Sequence, residues 1–227
     1  MHQAQQPQAT DEEFGMGNPF CCRSQTFSLD YSVEALGGNA LSEVELWGSE
    51  DNGRTWEKWG SDPDRVSPFD VKVGNDGLFG FRMVLVGAGG TVLGHPKPGE
   101  DADAWIRVDT EAPACKITRA IYGVGSEAGM LVIDYTCTDA DLADDSLSLS
   151  WSPTPEGPWT VAASNMKNTG LYLWKAEAAL PSRVYLKLEA VDKSGNTGVH
   201  RLELPIDTKG LAPRGRIQGI RPIVSPN

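Results

Sequence analysis

FSLDYSVEALGGNALSEVELWGSEDNGRTW, residues 27–56, decides the fold because its pattern recurs later in the chain. Phe27-Ser-Leu-Asp-Tyr31 precedes Trp47 as Leu131-Val-Ile-Asp-Tyr135 precedes Trp151, with the same offset (131 − 27 = 151 − 47 = 104). A repeat of this length is too long for a solenoid unit and matches a globular domain of about 100 residues. The sequence therefore predicts two related domains in tandem.

Strand signals run through both halves. Short alternating runs rich in Val, Leu, Phe, Tyr and Trp are separated by Gly, Asp, Asn and Pro, and helix signals are nearly absent. Regularly spaced strands of this kind favour a sandwich or barrel over βαβ units. Each half also closes on an Asp-Thr pair with a nearby proline, at 109–113 and 207–213.

The repeat resembles a known kind of domain. The Asp-Tyr strand, the tryptophan strand, the tryptophan hairpin and the late strand that ends Val191-Asp-Lys-Ser-Gly-Asn196 together resemble bacterial Ig-like or fibronectin type III-like domains of secreted and cell-envelope proteins. The first half departs at the last feature, where it has Val86-Gly-Ala-Gly-Gly90. The resemblance implies an all-β chain of two tandem Ig-like or fibronectin-III-like antiparallel β-sandwiches, and it implies no shared ligand.

Segment limits follow from the repeat. We expect an N-terminal arm at 1–22, a first β-sandwich at 23–110, a second at 111–208, and a C-terminal tail or linker at 209–227. Both ends read as tails, which suggests a piece of a longer protein; the alternative is a signal segment that was removed. The tail is locally basic, so Arg214, Arg216 and Arg221 are weak candidates for binding a neighbouring molecule, while the alternative is a plain linker.

Composition excludes several classes of partner. The net charge is −11, from 20 Lys+Arg against 31 Asp+Glu. We therefore expect neither nucleic acid nor anionic membrane surfaces as partners, because binding to them depends on cationic groups. No run approaches the roughly 20 apolar residues of a membrane helix.

One hairpin carries a recognisable motif. Ser49, Asp51, Gly53 and Trp56 match the Asp-box pattern S-x-D-x-G-x-x-W that recurs in sialidase-like propellers. The Asp and Ser side chains bond turn amides, glycine allows a positive φ, and tryptophan packs beneath. We interpret this single box as a structural hairpin staple.

Catalytic motifs are missing from the sequence. The run MVLVGAGGTVLG at 83–94 imitates a dinucleotide-binding loop, but Val92 stands where the third glycine is needed and Pro96 and Pro98 break the helix that should follow. The three histidines lie far from any nucleophile motif. We therefore predict no enzyme; a hydrolase would need a site that the sequence does not show.

The four cysteines form two pairs. Cys115 and Cys137 fall opposite each other if two antiparallel strands turn near residue 126, which predicts a disulfide and an oxidising compartment; the alternative is two buried thiols. Cys21 and Cys22 are adjacent in the arm. They bond each other, link another chain, or stay reduced.

An acidic segment and three tryptophans complete the candidate sites. Asp139, Asp141, Asp144 and Asp145 crowd one loop, where calcium is possible, although a solvated acidic turn is favoured and no other cofactor is expected. Trp47 and Trp151 occupy the repeat position that sandwiches bury. Trp59, Trp105 and Trp174 have no repeat partner, which makes them the better candidates for an exposed contact surface.

Function follows only in outline. The pattern favours a non-catalytic structural or protein-interaction module of an extracytoplasmic protein, a spacer or adhesin at the cell surface or in the periplasm. The alternative is a pair of carbohydrate-binding accessory domains from a secreted glycan-active enzyme. Partners are then a protein or glycan at the cell surface, with self-assembly as a further option and no insertion into a membrane.

Overall fold

The chain was studied as a computed structural model, which describes residues 17–33, 41–90, 92, 94–175, 180–209 and 219. Regular structure in this part is all strand, apart from a short 3-10 turn at Gly125–Glu127. Among these residues, no helix has the length and hydropathy needed to cross a bilayer. The described residues divide into two compact units, one up to Glu111 with Lys193–Asn196, the other from Ala112 to Asp192 and from Thr197 onward.

The first unit is a β-sandwich built from seven described strands. Five form one sheet in the order β1-β7-β6-β3-β4, in which β1 runs parallel to β7, and β2 pairs with β5 in a second sheet. The two sheets enclose a core that includes Leu46, Val71, Phe79 and Phe81. The strands are β1 (Phe20–Cys22), β2 (Thr26–Leu29), β3 (Leu41–Ser49), β4 (Glu57–Asp62), β5 (Phe69–Lys72), β6 (Gly77–Gly87) and β7 (Ala104–Val108).

The second unit is also a β-sandwich of two sheets. One sheet runs β11-β10-β13-β14, with β15 also paired to β13, and the other runs β12-β9-β8. This is a fibronectin-III-like sandwich, so the predicted fold class is confirmed. The strands are β8 (Ala114–Tyr122), β9 (Leu131–Thr138), β10 (Leu142–Ser152), β11 (Thr160–Met166), β12 (Leu171–Trp174), β13 (Arg183–Asp192), β14 (Thr197–Arg201) and β15 (Ile206–Asp207).

Strict alternation explains why β13 sits at the centre of its sheet. Val184, Leu186, Leu188 and Ala190 are all fully buried, and the residues between them are not. Successive side chains of a strand point to opposite faces, so a period of two buries one complete face. Both neighbours of β13 are antiparallel, which fixes its register on each side.

The predicted disulfide is present. Cys115 on β8 lies directly opposite Cys137 on β9, with their Cα atoms 4.2 Å apart. The simple register holds from this pair to Ile117 opposite Tyr135, after which a bulge shifts the pairing by one residue. The turn between the strands therefore differs from a plain hairpin, while the cysteine pair keeps its predicted place.

Candidate functional site

The Asp-box hairpin is held together by its own side chains. The Ser49 hydroxyl accepts the Gly53 N–H (2.8 Å) and donates to Asp51 Oδ1 (2.9 Å). Asp51 also accepts the Thr55 N–H (2.8 Å) and the Thr55 hydroxyl (2.7 Å), and these bonds lower the pKa of Asp51 to about 2. Trp56 follows the turn and is partly buried. The polar side chains of Ser49 and Asp51 are thus engaged within the turn, whereas the buried Trp56 Nε1 has no hydrogen-bond partner in the described structure.

The three tryptophans predicted to form a contact surface do not form one. Trp105 is 0% exposed and donates its indole N–H to Asp101 Oδ1 at 3.1 Å, and Trp174 is 5% exposed in the core of the second sandwich. Trp59 is partly buried and donates to the Lys72 carbonyl. The prediction was wrong for Trp105 and Trp174. The Trp174 ring fills the core of the second sandwich, whereas the Trp105 ring is buried over Gly80 on the sheet face opposite the core, close to Gly53.

Trp59 is largely used for packing as well. Its ring meets Phe79 and Phe81 edge-on, with centroids 6.1 and 5.4 Å away. It also covers Gly48 so closely that a Cβ built there would lie 2.4 Å from the ring. Because residue 48 has no side chain, the Trp59 ring can lie against the strand at this position and contact Phe79 and Phe81.

The two repeat tryptophans take different positions. Trp151 packs partly buried against the core of its sandwich. Trp47 instead lies against His95, with ring centroids 4.6 Å apart, and donates its indole N–H to Glu45 at 2.8 Å. In the sequence, the strand Phe81–Val86 corresponds to Leu186–Val191. Trp151 pairs with Leu186, whereas Gly48, the residue after Trp47, pairs with Phe81. The sequence repeat is therefore displaced by one residue in space.

Trp47 belongs to a charged cluster on the first sandwich. Lys58 Nζ lies 2.9 Å from Glu43 Oε1 and 2.7 Å from Glu45 Oε1. Burial tends to raise the pKa of Glu45, but hydrogen bonds from Lys58 and Trp47 outweigh it and hold that pKa below its usual value. The opposite charges and the indole N–H satisfy one another within this cluster, which makes it a structural network.

The acidic segment is a loop only in part: Asp139 and Asp141 lie between β9 and β10, whereas Asp144 and Asp145 lie within β10, which begins at Leu142. Asp144 and Asp145 are exposed in a bulge between Leu142 and Leu147, whereas the side chain of Asp139 accepts the Asp141 N–H. In the described structure, no three of the four predicted aspartates bring ligand oxygens within 4.8 Å of one another. Calcium at this segment stays a prediction. A cavity of about 510 Å³ beside the bulge is lined by Leu142, Ala143, Asp144, Asp145, Lys167 and Asn168.

The outer face of sheet β12-β9-β8 carries a row of apolar side chains, which we name the apolar row: Leu173, Val132 and Ile121. Cross-strand pairing places Val132 between the other two. Leu173 is 38% exposed and Ile121 is 44% exposed. In the next row, Leu171 lies beside Asp134, and Asp134 Oδ2 lies 2.5 Å from Arg119 Nε. Sequence reasoning missed this surface because alternation alone does not show which face of a strand meets the core.

Other predicted positions fall outside the described residues. Arg214, Arg216 and Arg221 of the tail are among them, as is the arm before residue 17. Cys21 and Cys22 are described, and neither belongs to a disulfide.

Comparison with solved structures finds fibronectin-type modules. The CbhA fibronectin(III)-like modules of Clostridium thermocellum align over 88% of this chain and 94% of theirs, with 17% identity and a TM-score of 0.47. The FN1–FN3 domains of chicken CNTN1 align over 80% and 65%, with 17% identity and a TM-score of 0.32. The Endo-D glycoside hydrolase domain of Streptococcus pneumoniae R6 aligns over 73% and 27%, with 12% identity and a TM-score of 0.28. Likeness at this level concerns chain path and carries no functional argument.

Comparisons by sequence give no relative: no protein-family model matches the chain, and no curated protein matches it.

Proposed function

We propose that this chain is a non-catalytic interaction module of an extracytoplasmic protein, which acts through its sheet faces and its basic tail. The apolar row is the observation that carries the proposal. Leu173 and Ile121 stand exposed on either side of the buried Val132, and Leu171 follows in the next row of the same sheet face, whereas exposed apolar side chains on monomeric proteins are usually scattered singly. A contiguous row of this kind is typical of a contact surface.

The compartment is inferred from the disulfide. Cys115 and Cys137 are bonded, and disulfides persist mainly in oxidising environments such as the cell surface and the periplasm. A spacer or adhesin at the cell surface fits both the compartment and the two sandwiches. The single Asp-box belongs to this proposal as a hairpin staple of the first sandwich.

Sedimentation velocity with matched variants tests the contact surface. Leu173→Asp places a charge in the apolar row, and Leu204→Asp is its control because Leu204 is 79% exposed outside the row. We expect concentration-dependent association to fall in Leu173→Asp and to stay unchanged in Leu204→Asp. Equal behaviour of both variants would refute a role for the row.

The tail is tested separately by deletion of residues 209–227. Arg214, Arg216 and Arg221 are basic beside acidic sandwiches, so a docking tail should lose its contribution to association on deletion and on addition of salt. Melting temperature should barely change. If every measured association survives the deletion at low and high salt, the tail is a linker and the chain is a spacer.

A second candidate function is that of a carbohydrate-binding accessory domain. The observation that favours it is Trp159, a partly exposed tryptophan that two cationic side chains approach. Aromatic rings with a few placed polar groups are the usual lining of ligand sites. A glycan array separates this function from a purely protein-binding one.

A further inference from the structure

We propose that the outer face of sheet β11-β10-β13-β14 binds the acidic group, a carboxylate or a sulfate, of a saccharide. Trp159 supplies the stacking surface and Arg201 the cation. The inference rests on the second candidate function above and names the ligand class within it.

A cross-strand row places the charged residues of this site. Ser150 on β10, Lys187 on β13 and Arg201 on β14 lie side by side by register. The residues that flank Lys187 on its strand, Leu186 and Leu188, are fully buried, so Lys187 and its row point to the outer face. Two cations therefore stand directly opposite each other, an arrangement that is unfavourable on a sheet unless something compensates it.

Trp159 provides part of that compensation. Lys187 Nζ lies 5.2 Å from the centroid of the indole ring, and Arg201 Cζ lies 5.9 Å from it. Both distances are within the range of a cation–π attraction. One aromatic ring is thus shared by two positive charges on the same sheet face.

Lys187 and Arg201 differ in whether a nearby carboxylate neutralises their charge. Lys187 Nζ lies 2.7 Å from Glu189 Oε2, and the Lys187 side chain is only 12% exposed. Arg201 is exposed, and within the described part of the chain it pairs with no carboxylate. Its guanidinium is therefore the group available to an external anion, and guanidinium matches the planar, two-oxygen geometry of carboxylate and sulfate.

The surroundings of Arg201 fit a sugar ring better than an isolated ion. Trp159 is partly exposed beside Arg201, and Tyr185 shares the outer face of β13 with Lys187. An indole buries the apolar face of a flat ligand while nearby polar groups fix its orientation. The net charge of −11 does not prevent this, because charges beyond about 8 Å are largely screened at physiological ionic strength.

Two like charges held opposite each other, such as Lys187 and Arg201, destabilise the sheet locally. The packing of the sandwich does not require two cations at these positions. Such conflicts concentrate at functional sites, where an interaction with a ligand resolves them. A bound carboxylate or sulfate between Arg201 and the ring edge would supply the missing counter-charge for this row.

Isothermal titration calorimetry of the full chain tests the proposal with three probes of similar length: an oligogalacturonate, a sulfated heparin oligosaccharide and the neutral cellohexaose. The key variant is Arg201→Gln. Lys116→Gln is the matched control, because Lys116 is also exposed, stands on a strand of the other sheet and changes the charge equally. Trp159→Phe then tests the ring while an aromatic side chain is kept.

We expect at least one acidic oligosaccharide to bind, and Arg201→Gln to weaken it about tenfold or more, as loss of a charge-assisted pair does. Lys116→Gln should change the affinity by less than about twofold, since exposed charges away from a site act weakly. Preference for oligogalacturonate or for the sulfated probe identifies which acid is recognised.

Two results would overturn the proposal in different ways. Equal binding of acidic and neutral probes, or equal loss in Arg201→Gln and Lys116→Gln, would remove the acidic-group site and leave carbohydrate binding standing. Failure of all three probes to bind the unmodified chain would remove both.

Discussion

Gly48→Ala should destabilise the first sandwich far more than a methyl group ordinarily does. The added Cβ would lie 2.4 Å from Cε3 of Trp59 and 3.0 Å from Cζ3. The ring has little room to retreat, because Phe79 and Phe81 meet it edge-on at 6.1 and 5.4 Å. Overpacking of a well-packed site costs about 1–3 kcal/mol.

Differential scanning calorimetry of the whole chain measures this effect. Each kcal/mol lowers the melting temperature of a domain of this size by about 4–8 °C, and the loss should fall on one sandwich only. Gly74→Ala is the control, since Gly74 has open space around its Cβ position and no positive φ; there we expect no loss. A double-mutant cycle with Trp59→Leu should recover much of the loss. If Gly48→Ala melts like Gly74→Ala, or if the cycle shows no coupling, the packing argument fails.

Three further predictions concern the disulfide, the Asp-box and the acidic segment. Replacing Cys115 and Cys137 together by serine should destabilise the second sandwich by about 3 kcal/mol, because the bond closes a loop of 22 residues. Peptide mapping without reductant should show the linked pair. Alkylation of both thiols in the native chain would contradict the disulfide. Asp51 has a pKa lowered to about 2 in the folded chain, so the stability it contributes is complete above its ordinary pKa of 3.8 and lost as the pH falls towards 2. Asp51→Asn should remove this component of acid unfolding. An unchanged dependence of stability on acid pH in the variant would argue against it. Calcium at 139–145, if bound, must raise the melting temperature relative to chelator, and identical melting in both would exclude it.

Strands with a strict period of two could be placed from the sequence. The alternating run Arg-Val-Tyr-Leu-Lys-Leu-Glu-Ala-Val-Asp at 183–192 coincides with β13, because a central strand buries one complete face along its whole length. The register of Cys115 with Cys137 was also predictable, since antiparallel pairing makes opposite positions a matter of counting.

Edge strands were harder to predict. Strand β4 (Glu57–Asp62) has no strand signal in the sequence, because its charged residues and Gly60 lack alternation. Strand β11 (Thr160–Met166) has little signal, because small and polar residues fill it. Edge strands bury little, so their sequence is only weakly constrained by the core.

The candidate surfaces depended on features that a single sequence does not display. Bulges shift the pairing of β10 and place Asp144 and Asp145 in a strand instead of a loop. Trp105 and Trp159 differ in burial because the segments around Gly53 and Ala102 lie close to Trp105, whereas Trp159 stays partly exposed on an outer sheet face. Both effects depend on contacts between distant segments.

The short strand β1 has a chemical consequence for the adjacent cysteines. Cys21 and Cys22 are both paired with β7 in extended conformation, so their side chains leave opposite faces of the strand, and Cys22 packs against the core. A bond between these neighbours would require the strand to leave its sheet. Oxidation of this pair to a disulfide between neighbours would therefore report that β1 has left its sheet, whereas both thiols stay reduced while β1 is paired with β7.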